Sequence, residues 1–409
     1  MKKWTVLLLV AVLTVPLFAQ GSGPIYIGAV YPLSGSLAPI GTNCRRGIDF
    51  AVEEINSKGG VLGRQIEIIY GDSVGDPKTG MAEAERLITT KNVVALIGAY
   101  QSAVTNVVSE VAQRYKVPMI TAISTADPIT TRGYQYFFRL APTNMMYLRD
   151  MIQYSYDVSQ KFNLGYKTVG FITDNTLLGQ ESLKWGKYWA KEIGFTVVKE
   201  IQYSNNTVDL SSEVLTMKRA NPDILVVDPY ISDAILLTKT LHEQGFAPHI
   251  MIGKASGLID PSFIPAVKDL AMGITTSLEW NTDIPKAQET NKRFMAKFNI
   301  NMNGHSAETY TTIKVLTQAF KQAGSVDRDK VRDTLASLVI DKKFSDGSSI
   351  ILPYEMIDFE NFSNEAGSHT NQNKYARITI GQIKNGKYVT VWPFDSAAED
   401  PILSLKKVW

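Results

Sequence analysis

The sequence has little of what disulfide-stapled, metal-dependent or nucleic-acid-binding proteins are built from. Its single cysteine, Cys44, excludes an internal disulfide. Its four histidines are scattered along the chain, which does not match the spacing of a metal-ligating motif. Among 409 residues, Lys and Arg number 42 against 40 for Asp and Glu, so no basic excess indicates nucleic acid as a partner.

Recognised catalytic signatures are also missing from the sequence. It contains no GxSxG elbow, Walker P-loop, GxGxxG fingerprint, HExxH or CxxC. No two acidic residues are singled out by their spacing as a general acid and base. We therefore expect no catalytic residue, no metal and no cofactor. An exported enzyme stays open as an alternative, since a nucleophile or metal cluster could form in space.

The N-terminus has the pattern of a secretory signal peptide. Two lysines precede an apolar stretch that is short for a membrane span, and the segment ends in small residues. We predict a signal peptide over residues 1–19, with cleavage after Ala19. A membrane anchor is the weaker alternative, because no second apolar span or stop-transfer pattern follows. The mature protein is expected in the periplasm.

Apolar strands and amphipathic helices then alternate in two series. The first runs from IYIGAVY (25–31) to VPMIT (117–121), and the second runs from a helix at 144–163 to HIMIG (249–253). Such alternation predicts parallel sheets with helices on both faces. The tail at 376–393 is β-like, with a hairpin turn at Asn385–Gly386. The chain length and the repeated rhythm predict two doubly wound α/β lobes.

Ligands of open parallel sheets bind beyond the carboxyl ends of the strands. The corresponding turns of this chain are rich in Ser, Thr, Gly, Tyr and Asn. They are PLSGSLAPIG (32–41), AYQSA (99–103), TAISTAD (121–127), DNTLLG (174–179) and DPYIS (228–232). Ser102 begins a helix in the second of these turns, where its hydroxyl could cap that helix or donate to a bound anion. The sequence around it leaves both readings open.

Several segments together resemble the leucine/isoleucine/valine-binding protein family. They are SGSLAPIGTNCRRGIDFAVEEINSKGGVLGRQIEIIYGDSVGDPKTGMAEAERLI, LIGAYQSAVT, VPMITAISTADPITTRGYQYFFRLAP and HSAETYTTIKVLTQAFKQAG. The resemblance implies a type I periplasmic binding protein with two lobes joined by a three-segment hinge. Under this resemblance, lobe 1 comprises 24–143 and 280–350, and lobe 2 comprises 144–279 and 351–409.

The resemblance also implies a binding site between the lobes. Ser102 and Thr125 fall on hydroxyls that bind a ligand carboxylate, Ile123 on a residue that uses its backbone, and Tyr230 on a second-lobe tyrosine. Further ligand-binding candidates are Tyr100, Gln101, Ile40 and Asp228. Weaker candidates are Leu178, His305 and Trp280.

One position departs from the family pattern. Amino-acid binders of the family carry an acid after the strand that ends near Gly253, and this chain has Ala255 there. Another acid could pair with a ligand ammonium, or the ligand could lack an ammonium. The candidate acids are Asp228, preferred because it shares a turn with Tyr230, and Asp174, Glu279 and Glu308.

The predicted function is capture of a small carboxylate, most simply an apolar amino acid, and its delivery to the membrane permease of an ABC importer. We expect a monomer that binds no nucleic acid. Two alternatives stay open from the sequence, namely a sensor that feeds a signalling receptor and a receptor for an aromatic or keto acid.

Overall fold

The computed structural model describes residues 23–205, 207–254 and 257–409, so the predicted signal peptide and Ala255 lie outside the described residues. The strands are β1 (Ile25–Tyr31), β2 (Ile66–Asp72), β3 (Ala95–Gly98), β4 (Met119–Thr121), β5 (Phe137–Arg139), β6 (Thr168–Asp174), β7 (Thr196–Tyr203), β8 (Ile224–Asp228), β9 (Ile250–Gly253), β10 (Thr275–Leu278), β11 (Val339–Asp341), β12 (Met356–Asn364), β13 (Gly367–Asn373), β14 (Thr379–Lys384) and β15 (Lys387–Trp392). The helices are α1 (Ala38–Ser57), α2 (Pro77–Thr89), α3 (Ser102–Arg114), α4 (Asn144–Lys161), α5 (Leu177–Ile193), α6 (Ser211–Ala220), α7 (Ile231–Glu243), α8 (Phe263–Val267), α9 (Gln288–Phe298), α10 (Gly304–Ala323) and α11 (Arg328–Ala336).

Each of the two predicted lobes is built on one sheet. The first sheet has the order β11-β12-β13-β5-β4-β3-β1-β2, and its strands β1 to β5 are parallel. The second has the order β15-β14-β10-β9-β8-β6-β7, in which β6 to β10 are parallel and β14 and β15 are antiparallel. The predicted α/β fold class with two doubly wound lobes is confirmed.

The chain passes between the sheets three times, after β5, after β10 and after β13. The last passage corrects the predicted lobe boundaries, which placed 351–409 in lobe 2. Strands β12 and β13 belong to the first sheet, where β13 runs parallel to β5. Gln372 fixes this pairing because its amide oxygen accepts from Arg139 Nε and its Nε2 donates to the Ala141 carbonyl at 2.8 Å. Strands β14 and β15 do join the second sheet, through the predicted turn at Asn385–Gly386.

Helices from the C-terminal half complete the first lobe. Helix α10 packs along α1, where Thr309 Oγ1 donates to the Cys44 carbonyl at 2.9 Å. Phe294 of α9 meets Phe50 edge to face, with ring centroids 5.4 Å apart. The buried faces of these helices give the first lobe a continuous apolar core. Within the ranges described above, no helix is long and apolar enough to cross a membrane.

Candidate functional site

A small cavity lies between the two lobes, at the carboxyl ends of their parallel strands. Four lining residues come from the first lobe, three from the second and one from the second passage between the lobes. They are Tyr100, Ser102, Ile123 and Thr125, then Leu178, Tyr230 and Lys254, and finally Glu279. Side chains of the two lobes therefore meet around one enclosed space, which is where parallel α/β sheets bind ligands.

Ser102 lies at the first position of α3 and does not cap it. The N-cap residue is Gln101, whose side chain makes no capping hydrogen bond to α3. The Ser102 hydroxyl, which is buried, instead accepts from the Ala126 backbone N–H at 3.3 Å. The helix start thus presents its positive end and a hydroxyl to the cavity, an arrangement that favours an anion.

The turn that carries Thr125 is held against the turn that carries Tyr100. Ser124 Oγ donates to the Tyr100 carbonyl at 3.0 Å, and it also contacts the Thr105 hydroxyl. The Thr125 carbonyl accepts from the Asn144 backbone N–H at 2.6 Å, at the first passage between the lobes. These bonds fix the first-lobe hydroxyls and couple them to the hinge.

Aromatic rings of both lobes form one wall of the cavity. The Tyr100 and Tyr230 ring centroids are 5.8 Å apart at an interplanar angle of 63°. Gly257 lets the chain pass close behind Tyr230, since a Cβ at position 257 would lie 2.5 Å from the Tyr230 carbonyl carbon. This wall suits the apolar part of a ligand.

Lys254 places a cation beside Thr125 in the cavity. Its ammonium donates to Thr125 Oγ1 across the cleft and lies 5.0 Å from the centroid of the Tyr147 ring. Its residue exposure is 3%. Burial lowers the pKa of Lys254 from 10.5 to about 8, although the negative charge of Asp228 acts in the opposite direction. The ammonium stays largely protonated at neutral pH.

Glu279 lines the same cavity and also contacts Tyr147. The Tyr147 hydroxyl donates to Glu279 Oε1, whereas Glu279 Oε2 is buried without a hydrogen-bond partner among the described residues. The residue is 6% exposed. Burial raises the pKa of Glu279 from 4.5 to about 8. A lysine and a carboxyl group of the cavity lining therefore both contact Tyr147, the lysine at its ring and the carboxyl group at its hydroxyl.

Three predicted ligand-binding residues lie outside the cavity lining. Ile40 is fully buried in the core of the first lobe. The Gln101 side chain turns away to donate to the Gly75 carbonyl at 2.9 Å. Asp228 accepts from the Ser182 hydroxyl behind the second-lobe wall. The other five predicted residues, Tyr100, Ser102, Ile123, Thr125 and Tyr230, lie together at the cavity.

Of the weaker candidates and the candidate acid Asp174, only Leu178 lies in the cavity lining. His305 stands behind Tyr100, with ring centroids 5.2 Å apart, and burial lowers its pKa to about 4, so its ring is neutral. Trp280 is buried without lining the cavity. Asp174 accepts from the Thr176 backbone N–H and hydroxyl at the start of α5.

The sequence interpretation missed Lys254 and treated Glu279 as one acid among four. Both residues directly follow a parallel strand, Lys254 after β9 and Glu279 after β10. The rule that ligands bind at strand ends would have found both, had it been applied to these two strands. Across the described ranges, no group of His, Cys, Asp and Glu could hold a metal ion.

Comparisons with known proteins match most of the chain. Residues 24–361 match the family model of the periplasmic binding proteins. A Leu/Ile/Val-binding protein homologue of Brucella melitensis is 30% identical over 402 residues, covering 93% of this chain and 94% of the relative. Both matches run through the cavity residues.

Two solved structures share the fold at lower identity. The leucine-binding protein LivK of Thermotoga maritima superposes with a TM-score of 0.76 at 23% identity, covering 91% of this chain and 99% of that one. A solute-binding protein of an ABC transporter from R. palustris, solved in complex with benzoate, superposes with a TM-score of 0.73 at 20% identity, covering 90% and 96%.

Proposed function

The chain belongs to the periplasmic binding protein family, among the Leu/Ile/Val-binding proteins, and from this premise we propose that it captures a small carboxylate outside the cytoplasm for an ABC importer. The proposed ligand is an apolar amino acid, and the proposed partner is a membrane permease. The observation that carries this proposal is the cavity itself, in which both lobes meet at two hydroxyls, a lysine and an aromatic wall. No covalent step is part of the proposal.

The carboxylate is proposed to bind at Ser102, Thr125 and Lys254. The two hydroxyls belong to the first lobe and the ammonium belongs to the second, so one carboxylate would contact both lobes. A ligand shifts an open-closed equilibrium only by its differential contacts with the two states. Contacts that exist in full only when the lobes are together would therefore favour the closed form, which the permease would recognise.

A receptor for an aromatic carboxylate is the second candidate function. The edge-to-face pair of Tyr100 and Tyr230 supports it, because aromatic rings pack favourably against such a wall. The benzoate complex of the similar R. palustris protein shows that this fold can accommodate such a ligand. The two candidates differ in whether the ligand carries an ammonium.

A binding screen tests the proposal directly. Thermal shift followed by titration calorimetry would be run with the apolar amino acids, their 2-oxo acids and benzoate on the mature protein. Saturable binding of at least one carboxylate, with a rise in unfolding midpoint that grows with ligand concentration, is expected. If no carboxylate binds while an uncharged solute does, the proposed carboxylate site is refuted.

A further inference from the structure

We infer that Glu279 accepts the ammonium of the ligand, so that the cavity selects amino acids over carboxylates that lack an amino group. The inference rests on the proposed function, because it assigns the second end of a ligand whose carboxylate is bound at Ser102 and Thr125. It differs from the sequence prediction, which preferred Asp228 for this role.

The first support is the position of the carboxyl group. Glu279 lines the cavity, and its Oε2 is buried without a hydrogen-bond partner in the described part of the chain. A buried carboxyl oxygen without a hydrogen-bond partner is unfavourable. An ammonium in the cavity would supply the missing donor, and it would pair with the carboxylate once the carboxyl proton has left.

The second support is that the preferred alternative is already engaged elsewhere. The Asp228 carboxylate accepts from the Ser182 hydroxyl, and Ser182 also bonds to Asn144. Asp228 is absent from the described lining of the cavity. A ligand ammonium would have to displace this network to reach Asp228, whereas Glu279 already lines the cavity.

The third support is that the two charged side chains contact different parts of Tyr147. The Lys254 ammonium lies over the ring of Tyr147, and the hydroxyl of Tyr147 donates to Glu279 Oε1. A carboxylate near Lys254 and an ammonium near Glu279 match the two ends of a zwitterion. A ligand with a carboxylate and no ammonium would use the first end and leave Glu279 Oε2 without a partner.

Binding of an amino acid whose ammonium pairs with Glu279 should release a proton to solvent, and calorimetry can count this proton. Buried beside Glu308, Glu279 holds a proton in the unliganded protein at neutral pH, because burial raises its pKa to about 8. When the ligand ammonium arrives, the carboxyl proton leaves to solvent and the carboxylate pairs with the ammonium. Near pH 6.5, this route releases about one proton per amino acid bound.

The experiment compares leucine and phenylalanine with 4-methyl-2-oxopentanoate, phenylpyruvate and benzoate by calorimetry. Wild type, Glu279→Gln and Glu308→Gln are titrated in buffers of different ionisation enthalpy. Glu308 is the matched control, since it is equally buried with a partnerless Oε2 among the described residues but does not line the cavity.

The expected result is that wild type prefers the amino acid to its 2-oxo acid and releases a proton only with the amino acid. Glu279→Gln should lose this preference by roughly 30-fold or more, because an ammonium would lose its charged partner. Glu308→Gln should keep the preference. The proton count in wild type gives a readout that does not depend on the folding of either variant.

Four outcomes would overturn the inference. A preference that survives in Glu279→Gln, or amino-acid binding by wild type without proton release, refutes the role of Glu279 and leaves the carboxylate receptor intact. A wild type that binds the 2-oxo acids or benzoate more tightly refutes the selectivity and favours the second candidate function. Binding of none of the five probes refutes the proposed ligand class together with the inference.

Discussion

Replacing Lys254 by methionine separates the contribution of this residue to binding from its contribution to stability. Methionine keeps an unbranched apolar chain of similar length and removes the ammonium that contacts Thr125. The lowering of the Lys254 pKa from 10.5 to about 8 means that the protonated lysine reduces the free energy of unfolding by roughly 3 kcal/mol at neutral pH. Because this pKa is lowered in the folded state, the protonated lysine destabilises the fold below about pH 8, and the penalty disappears as the pH rises towards 10.5.

We therefore expect Lys254→Met to be more stable than wild type without ligand at pH 7, by up to roughly 3 kcal/mol, and to bind carboxylates at least about 30-fold more weakly. Urea unfolding of the ligand-free proteins gives the first quantity, and calorimetry gives the second. The stability gain should shrink between pH 8 and pH 10. A gain of this kind at the expense of binding is typical of functional sites.

Lys314→Met is the matched control for removal of a buried lysine. Lys314 is 5% exposed, lies outside the cavity lining and bonds to Asp346. Burial alone would raise the pKa of Asp346, but Lys314 and Ser348 outweigh it and hold that pKa well below its usual value. Burial lowers the pKa of Lys314 as well, but removal of its ammonium would leave the Asp346 carboxylate without this partner. Lys314→Met should therefore lose stability and keep its affinity. A Lys254→Met protein that is less stable and binds normally would refute the reasoning and make Lys254 a structural tie across the cleft.

Three further predictions concern the same site. Ser102→Ala should bind carboxylates about 10- to 150-fold more weakly in calorimetry. Its ligand-free unfolding midpoint should be nearly unchanged, since the Ser102 hydroxyl makes one long bond to Ala126. A much lower unfolding midpoint with full affinity would contradict this prediction. Leucine affinity should rise from pH 6 to pH 8 because Glu279 loses its proton, and it should fall above pH 8 because Lys254 loses its proton. Benzoate affinity should only fall, because benzoate has no ammonium to pair with Glu279. Parallel pH profiles for the two ligands would refute both assignments. Small-angle scattering should show compaction with saturating ligand, and an unchanged radius would exclude closure of the lobes.

Much of the fold could be predicted because periodicity and strand-end chemistry are local properties of the sequence. Alternating strands and helices predicted both sheets and the ligand-binding turns after β3 and β4, and the family resemblance singled out Ser102 and Thr125 within these turns. The pairing of β12 and β13 with the first sheet could not be predicted in this way. It depends on the contact of Gln372 with Arg139, two residues that are 233 positions apart in the sequence.

The charged part of the site was harder to predict for a different reason. Asp228 shares a turn with Tyr230, and proximity in sequence suggested a shared role. The side chain of Asp228 instead points to Ser182, on a helix that the sequence does not place relative to it. Lys254 and Glu279 line one cavity and contact one tyrosine, Tyr147, only in the folded protein, and the sequence does not show how these distant segments pack.

The three passages of the chain between the sheets also determine when each lobe can be completed during folding. The first sheet begins with β1 at Ile25, and its pairing with β13 needs residues 367–373, so most of the chain must be available before this sheet is complete. Contacts over such distances slow folding, and β5 stays an unpaired edge until β13 arrives. A chain that ends before Gly367 would therefore expose this edge, and its expected fate is aggregation with other incomplete chains rather than a stable single lobe.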